Sequence, residues 1–156
     1  MRLILFAFLI GVVSGLRSMM APAAVSWAVQ LKCLPVGQTW LEFLGFRWTP
    51  WVLSIGALGE IIGDKLPSTP SRKALVPFVA RIVSGALCGG AMGAALGNLY
   101  LGMACGAAGA VAGTLGGYAA RIGLVRAIGG RDLPIALLED VVAVVGAVCL
   151  VMFARP

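Results

Sequence analysis

Histidine is absent from this chain of 156 residues, charged residues make up only 12% of it, and its four cysteines are scattered. The missing imidazole removes the commonest general base and with it the Ser-His-Asp route to hydrolysis. Cys33, Cys88, Cys105 and Cys149 form no CxxC pair, and three of them sit inside apolar stretches, so neither a zinc site nor a disulfide framework is expected. No metal or cofactor motif and no paired nucleophile and base stand out, and the expectation is a protein without metal or cofactor. Acidic residues are also few: six Asp and Glu stand against twelve Lys and Arg, for a net charge of +6. No basic stretch is interleaved with exposed aromatics, so nucleic acid is not an expected partner.

Apolar surface is what the chain has in quantity. It is 60% hydrophobic with a mean hydropathy of +1.01, against roughly 45–50% apolar residues in soluble domains. A single domain of this length cannot bury that much in a soluble core, whereas lipid can cover it. The composition therefore predicts an all-α integral membrane protein whose first partner is the bilayer. Its residues 1–156 read as a single transmembrane domain of about five helices, with segments at about 3–31, 51–66, 76–97, 100–125 and 133–153.

The first segment is too long for one straight crossing. A helix over 3–31 would measure about 43 Å at 1.5 Å per residue, against a hydrocarbon core of about 30 Å. Gly11, Gly15 and Pro22 predict that it is broken or kinked. A cleavable leader ending near Ser14-Gly15 is disfavoured because Arg17 and a second apolar stretch, Met19–Val29, follow at once. Between 32 and 49, Trp40, Phe43, Phe46 and Trp48 predict an interfacial loop, since amphipathic rings settle at headgroup level. Pro67 and Pro70 stop the second segment. The turn Gly97-Asn98-Leu99 makes the third and fourth an antiparallel hairpin, and Asp132 with Pro134 opens the fifth.

Positive charge then predicts orientation. With the N-terminus inside, the inner side of a bacterial inner membrane collects Arg2, Lys65, Arg72, Lys73, Arg81, Arg121, Arg126 and Arg131, and the outer side has Lys32, Arg47 and Arg155. This places the N-terminus in the cytoplasm and the C-terminus in the periplasm.

Two glycine rows recur at every fourth residue: Gly85, Gly89, Gly93 and Gly97 in the third segment, and Gly109, Gly113 and Gly117 in the fourth. Small residues at that spacing let helix backbones approach closely in lipid. The expected use is a glycine zipper within the hairpin or between subunits; a glycine face lining a substrate groove is the functional alternative.

The charges inside apolar segments are the candidate site. Glu60 and Asp64 lie one turn apart at the end of the second segment, and Glu139 and Asp140 lie about 10 Å into the fifth. In the topology above these carboxylates share a depth with Lys65, Arg81 and Arg121. Intramembrane ions face the bundle interior and find partners. An ion-pair network that orders the helices and an ion, proton or anionic-substrate site are both open readings. Arg17 is the sharpest case, because a guanidinium stays charged when buried and needs an acceptor. It is expected to meet at least one of Glu60, Asp64, Glu139 or Asp140, which requires the break near Gly15 and Pro22.

These residues resemble those of a family of small bacterial membrane proteins catalogued as domain of unknown function 4126. The resembling pieces are Gly15-Leu16-Arg17-Ser18, Glu60-Ile61-Ile62-Gly63-Asp64-Lys65-Leu66-Pro67, Arg81 followed by Gly85, and Leu138-Glu139-Asp140-Val141. The family pattern has Pro directly after the third-segment Arg, where this chain has Ile82. The resemblance implies a membrane protein and supplies no reaction.

The reading that follows is a small transporter or channel-like protein, a homo-oligomer whose path for a small ion or anionic substrate is lined by Arg17, Ser18, Glu60, Asp64, Lys65, Arg72, Arg81, Arg121, Glu139 and Asp140. The alternatives are a non-transporting scaffold or assembly partner, and a membrane enzyme acting on lipid headgroups.

Overall fold

The computed structural model describes residues 1–37, 39–63, 75–127, 129 and 132–154. Asp64, Lys65 and Arg72 lie outside the described residues, as do Pro67 and Pro70. Among the described residues six α-helices follow one another: α1 (Arg2–Leu16), α2 (Met20–Gln30), α3 (Thr49–Gly63), α4 (Leu75–Ala95), α5 (Leu99–Ala127) and α6 (Asp132–Phe153), with a short 3-10 segment at Trp40–Gly45. No strand occurs among the described residues. Among the described residues three helices, α4, α5 and α6, are long and apolar enough to cross a membrane, while α1 and α3 are apolar but shorter.

Local chemistry explains where these helices begin. Pro22, Pro50, Pro77 and Pro134 each stand in the first turn of α2, α3, α4 and α6, where the missing N–H has no intrahelical acceptor to lose. Between α4 and α5 the chain reverses at Gly97, whose φ of +96° suits glycine. The Asn98 side chain then accepts from the Leu101 N–H at 3.1 Å and caps α5.

Helices α1, α4 and α5 form the tightest part of the bundle. A Cβ added at Gly85 would lie 2.6 Å from the Ala110 Cβ, one at Gly89 2.7 Å from the Gly106 Cα, and one at Gly93 2.8 Å from the Gly102 Cα. Since partner numbers in α5 fall as residue numbers rise along α4, the two run antiparallel. The second glycine row, expected to pack within the hairpin or between subunits, turns to α1. Added Cβ atoms at Gly109 and Gly113 would come within 3.0 Å of the Val12 N and 2.9 Å of the Val12 Cα, and one at Gly117 within 2.5 Å of the Leu16 Cδ2. The partners of the first row in α5 are Gly102, Gly106 and Ala110, so α5 divides overlapping small-residue rows between two neighbours. Here α1 and α5 run parallel, and α6 runs against both, because Val13 meets Gly146 and Arg17 meets Asp140.

The first apolar segment is not one kinked crossing. Helix α1 ends at Leu16, Arg17 is extended (φ −139°, ψ 116°), and α2 starts at Met20. The break falls between the two expected residues: Gly15 packs against α5, where an added Cβ would lie 2.6 Å from the Thr114 N, and Pro22 sits inside the first turn of α2. After the break the chain turns back. The Ser26 hydroxyl donates to the Leu44 carbonyl in the 3-10 segment. Three residues earlier, the Leu41 side chain lies beside Gly90, whose added Cβ would be 3.3 Å away. Gly90 is on α4 well below Ser84, which is level with the break. Only a returning α2 can be close to both, so α1 and α2 form a helical hairpin with Arg17-Ser18-Met19 at its tip. Helix α3 then ascends beside α2, with Trp27 edge-on to Trp51 at 5.1 Å and its indole donating to the Ser54 hydroxyl at 3.1 Å.

This reversal moves the termini. Arg2, the Gly97-Asn98 turn, the 3-10 segment and Phe153 all lie at one end of the bundle, and the start of α4, the end of α5 and the start of α6 lie at the other. The expectation of chain ends on opposite sides of a membrane counted 3–31 as a full crossing; in the bundle Arg2 and Phe153 lie at the same end. Exposed Phe46, Trp48, Trp51, Tyr100 and Phe153 mark the first end, and Arg121 and Arg126 approach the second; we call these the aromatic and basic ends.

Candidate functional site: the tip of the helical hairpin

A backbone that leaves the helix inside an apolar bundle exposes N–H and C=O groups that lipid cannot satisfy. At the tip of α1–α2 they are met by side chains from other helices. The Arg17 N–H still donates to the Val13 carbonyl at 2.9 Å and closes α1. The next two amides find Glu60 of α3: Ser18 N–H donates to Oε1 at 2.9 Å and Met19 N–H to Oε2 at 2.9 Å, while the Ser18 hydroxyl adds a third bond to Oε1 at 2.8 Å. One carboxylate thus caps the start of α2, where the helix dipole favours negative charge.

Freed carbonyls are taken up by hydroxyls. Thr114 Oγ1 of α5 lies 3.1 Å from the Gly15 carbonyl and 2.8 Å from its own Ala110 carbonyl, so its one proton is shared between them. Ser84 Oγ of α4 donates to the Ser18 carbonyl. Ser84 has then spent its proton, which makes Ser14 the donor in the 3.1 Å contact between the Ser14 and Ser84 hydroxyls.

The Arg17 side chain completes the junction. Its guanidinium, only 1% exposed, pairs with the Asp140 carboxylate of α6 and directs Nη1 toward the Glu60 carbonyl at 3.4 Å. Asp140 is 7% exposed, so both charges are withdrawn from the surface. Next along α6, Glu139 points a different way, since successive helical residues are about 100° apart, and meets Arg121 of α5 with 3.5 Å between Nη1 and Oε2. A cleft of about 130 Å³ between α5 and α6 reaches this second pair.

Of the residues picked from sequence, the fold brings Arg17, Ser18, Glu60 and Asp140 into one junction and sets Arg121 with Glu139 beside it. Arg81 is buried in α4, three residues before Ser84. Gly85, Gly89, Gly93, Gly109, Gly113 and Gly117 are at helix contacts, whereas Gly97 belongs to the turn. Sequence reading missed Ser14, Ser84 and Thr114. A signal for them existed: each is a lone hydroxyl in an apolar stretch beside a close-contact glycine, as Ser14-Gly15, Ser84-Gly85 and Gly113-Thr114.

Chemically, the junction offers exchangeable pairing. A guanidinium with five donors can move between two carboxylates and freed carbonyls, and an amide pair at a helix start can accept any anion of carboxylate shape. Compared with protein-family models, with curated proteins and with solved structures, the chain matches none.

Proposed function

We propose that the chain is a small transporter or channel-like protein of the bacterial inner membrane, with the tip of the α1–α2 hairpin as the gate of its path. The observation that carries the reading is the interrupted backbone inside a membrane-length bundle, its polar groups held by α3, α4 and α5 and its guanidinium by Asp140 of α6. Broken helices with a polar group at the break are how secondary transporters build a site away from both surfaces. Depth supports it: from Tyr100 to Arg121 along α5 is about 31 Å, close to a hydrocarbon core of about 30 Å, and Thr114 at the level of the tip is about 21 Å along that path.

In this proposal α3 to α6 supply four crossings and α1–α2 a re-entrant hairpin, in place of five crossings. The linker 64–74 carries Lys65, Arg72 and Lys73, and Arg126 and Arg131 lie in or after the last turn of α5. The positive-inside rule then makes the basic end cytoplasmic and sends both termini to the periplasm. Glycine contacts hold α1, α4 and α5 rigid as the frame against which the tip moves. A homo-oligomer with a closed symmetry helps to enclose the path, and a small ion or anion passes it. Membership of the bacterial family that the motif residues resemble belongs to the same proposal.

The scaffold reading is the second, and one observation favours it: each amide and carbonyl freed at the tip described above has a side-chain partner. Proteoliposomes loaded with pH- and potential-sensitive dyes, and challenged with H⁺, Na⁺, K⁺, Cl⁻, phosphate and acetate gradients, separate the two. A flux carried by the native chain and lost in folded Arg17→Gln supports the gate. No flux for any of them, with Arg17→Gln changing only stability, supports the scaffold.

A further inference from the structure

Glu60, Glu139 and Asp140 stand near the level of the hairpin tip, and they are not equally satisfied. Glu60 is held by three hydrogen bonds from Ser18 and Met19. Glu139 has Arg121. Asp140 meets Arg17 through Oδ1, but its Oδ2, shut away from solvent, has no hydrogen-bond partner among the described residues. A buried ion pair needs further hydrogen bonds on its remaining lone pairs to offset the loss of water. The bare oxygen can instead hold a proton, since a neutral carboxyl keeps acceptors and gains an O–H donor.

The charged and titratable groups around Asp140 come from every neighbouring element: Arg17 at the tip, Glu60 of α3, Arg81 of α4, Tyr118 and Arg121 of α5, and Glu139 on α6 itself. Arg17 links Asp140 to the tip. Its Nη1 points to the Glu60 carbonyl at 3.4 Å, while the carboxylate of that residue holds the N–H of Ser18, the next residue after Arg17. A guanidinium stays charged when its counterion is neutralised, and the Glu60 carboxylate is the charge beside it. Glu60 then exchanges the Ser18 and Met19 amides for Arg17 and lets go of the start of α2. Among small ions the proton suits this junction, because it binds a single oxygen and needs no coordination shell, and buried carboxylates relay it in pumps and transporters.

We propose that Asp140 is the proton-binding group of the gate: a proton on Oδ2 neutralises the carboxylate, breaks its ion pair with Arg17 and, by sending the guanidinium to Glu60, releases the tip of the α1–α2 hairpin. One proton enters and no covalent bond other than its own O–H forms or breaks. Loss of the proton restores the pair and closes the tip. The proposal rests on the reading of the tip as a gate and names the ion that works it.

Hydrogen exchange and infrared spectroscopy of the full chain in lipid nanodiscs, taken from alkaline to acid buffer, test it without any flux. Protection at Ser18 and Met19, corrected for intrinsic exchange, is expected to fall at least tenfold in one step as the pH drops, while the Gly85–Gly93 stretch of α4 stays protected. A carboxyl C=O band that Asp140→Asn removes is expected to rise at the same pH. Asp140→Asn should abolish the step, Glu139→Gln should keep step and band, and Glu60→Gln should loosen the tip at every pH but keep the band. If Asp140→Asn does not fold, the neutral pair Arg17→Gln with Asp140→Asn carries the test, with exchange at the tip that no longer responds to pH. A step that survives removal of the Asp140 carboxylate, or infrared spectra of the native chain and the Asp140 variant that coincide at the pH of the step, would overturn the proposal. Flux in proteoliposomes keeps the two readings apart. A native chain that carries ions without the step retains the gate and loses Asp140 as its proton site, whereas the Asp140 step in a chain that carries no ion removes the gate and leaves a proton-responsive hairpin.

Discussion

Arg17, at the tip of the α1–α2 hairpin, faces Asp140 on α6, and the two ions are paired where neither reaches the surface. They are 1% and 7% exposed, so removal of one leaves the other charged and without its counterion. Arg17→Ala is expected to lower stability by about 3–5 kcal/mol, read as a large fall in the detergent melting temperature. Asp140→Ala should do the same, and the double variant should lose much less than the sum of the two. Strict additivity in the cycle would show that the pair carries no coupling. Arg17→Lys should recover only part of the loss, because an ammonium lacks the planar fork.

Glu60 acts on the hairpin from the side, through three hydrogen bonds to Ser18 and Met19. Hydrogen bonds to a charged acceptor contribute about 1.5–3 kcal/mol, here to amides that are part-buried at Ser18 and exposed at Met19. Glu60→Ala should therefore loosen the start of α2 before the rest of the bundle. Hydrogen exchange should speed up at Ser18, Met19 and the first turn of α2 while the Gly85–Gly93 stretch of α4 stays protected; uniform acceleration across the chain would contradict a local cap.

Glycine positions divide sharply by surroundings. At Gly89 and Gly113 an added Cβ would come within 3.0 Å of neighbouring backbone, whereas at Gly116 and Gly123 it meets nothing within 4 Å. Gly89→Leu should part α4 from α5, and Gly113→Leu should part α1 from α5, each lowering stability by more than about 1–3 kcal/mol. Gly116→Ala and Gly123→Ala should be neutral or slightly stabilising through helix propensity. Equal effects at the four sites in thermal melts would show that close backbone approach is not what these glycines provide.

The direction of α2 is testable without a membrane transport assay. Reporters fused before Met1 and after Pro156 are expected to fall on one side, the periplasm, and a reporter in the stretch 68–73 on the other. Termini on opposite sides would mean that α1 and α2 together make a crossing, and would remove the hairpin.

Composition and local pattern alone determined the class of this protein, the approximate extent of α3 to α6, the turn at Gly97 and the identity of most of its buried charges. Those features depend on neighbours within a few residues: a run of apolar side chains, a proline in a first turn, a glycine free to take positive φ. Sequence also required that Arg17 find an acceptor, a carboxylate being expected, since no protonation change relieves a buried guanidinium. Which carboxylate was decided by tertiary structure, and so was the reversal of α2, whose direction is set by Leu41 against Gly90 of α4 and by Ser26 on Leu44. Likewise, the spacing of Gly109, Gly113 and Gly117 defines a face, but on a helix with small and apolar residues on several sides no polarity says whether α1 or α4 will cover it. The hydroxyls of Ser84 and Thr114 gain a role only once the hairpin tip arrives beside them, because the Ser18 and Gly15 carbonyls they meet are ones that a continuous helix would never have released, and Ser14 joins them through Ser84.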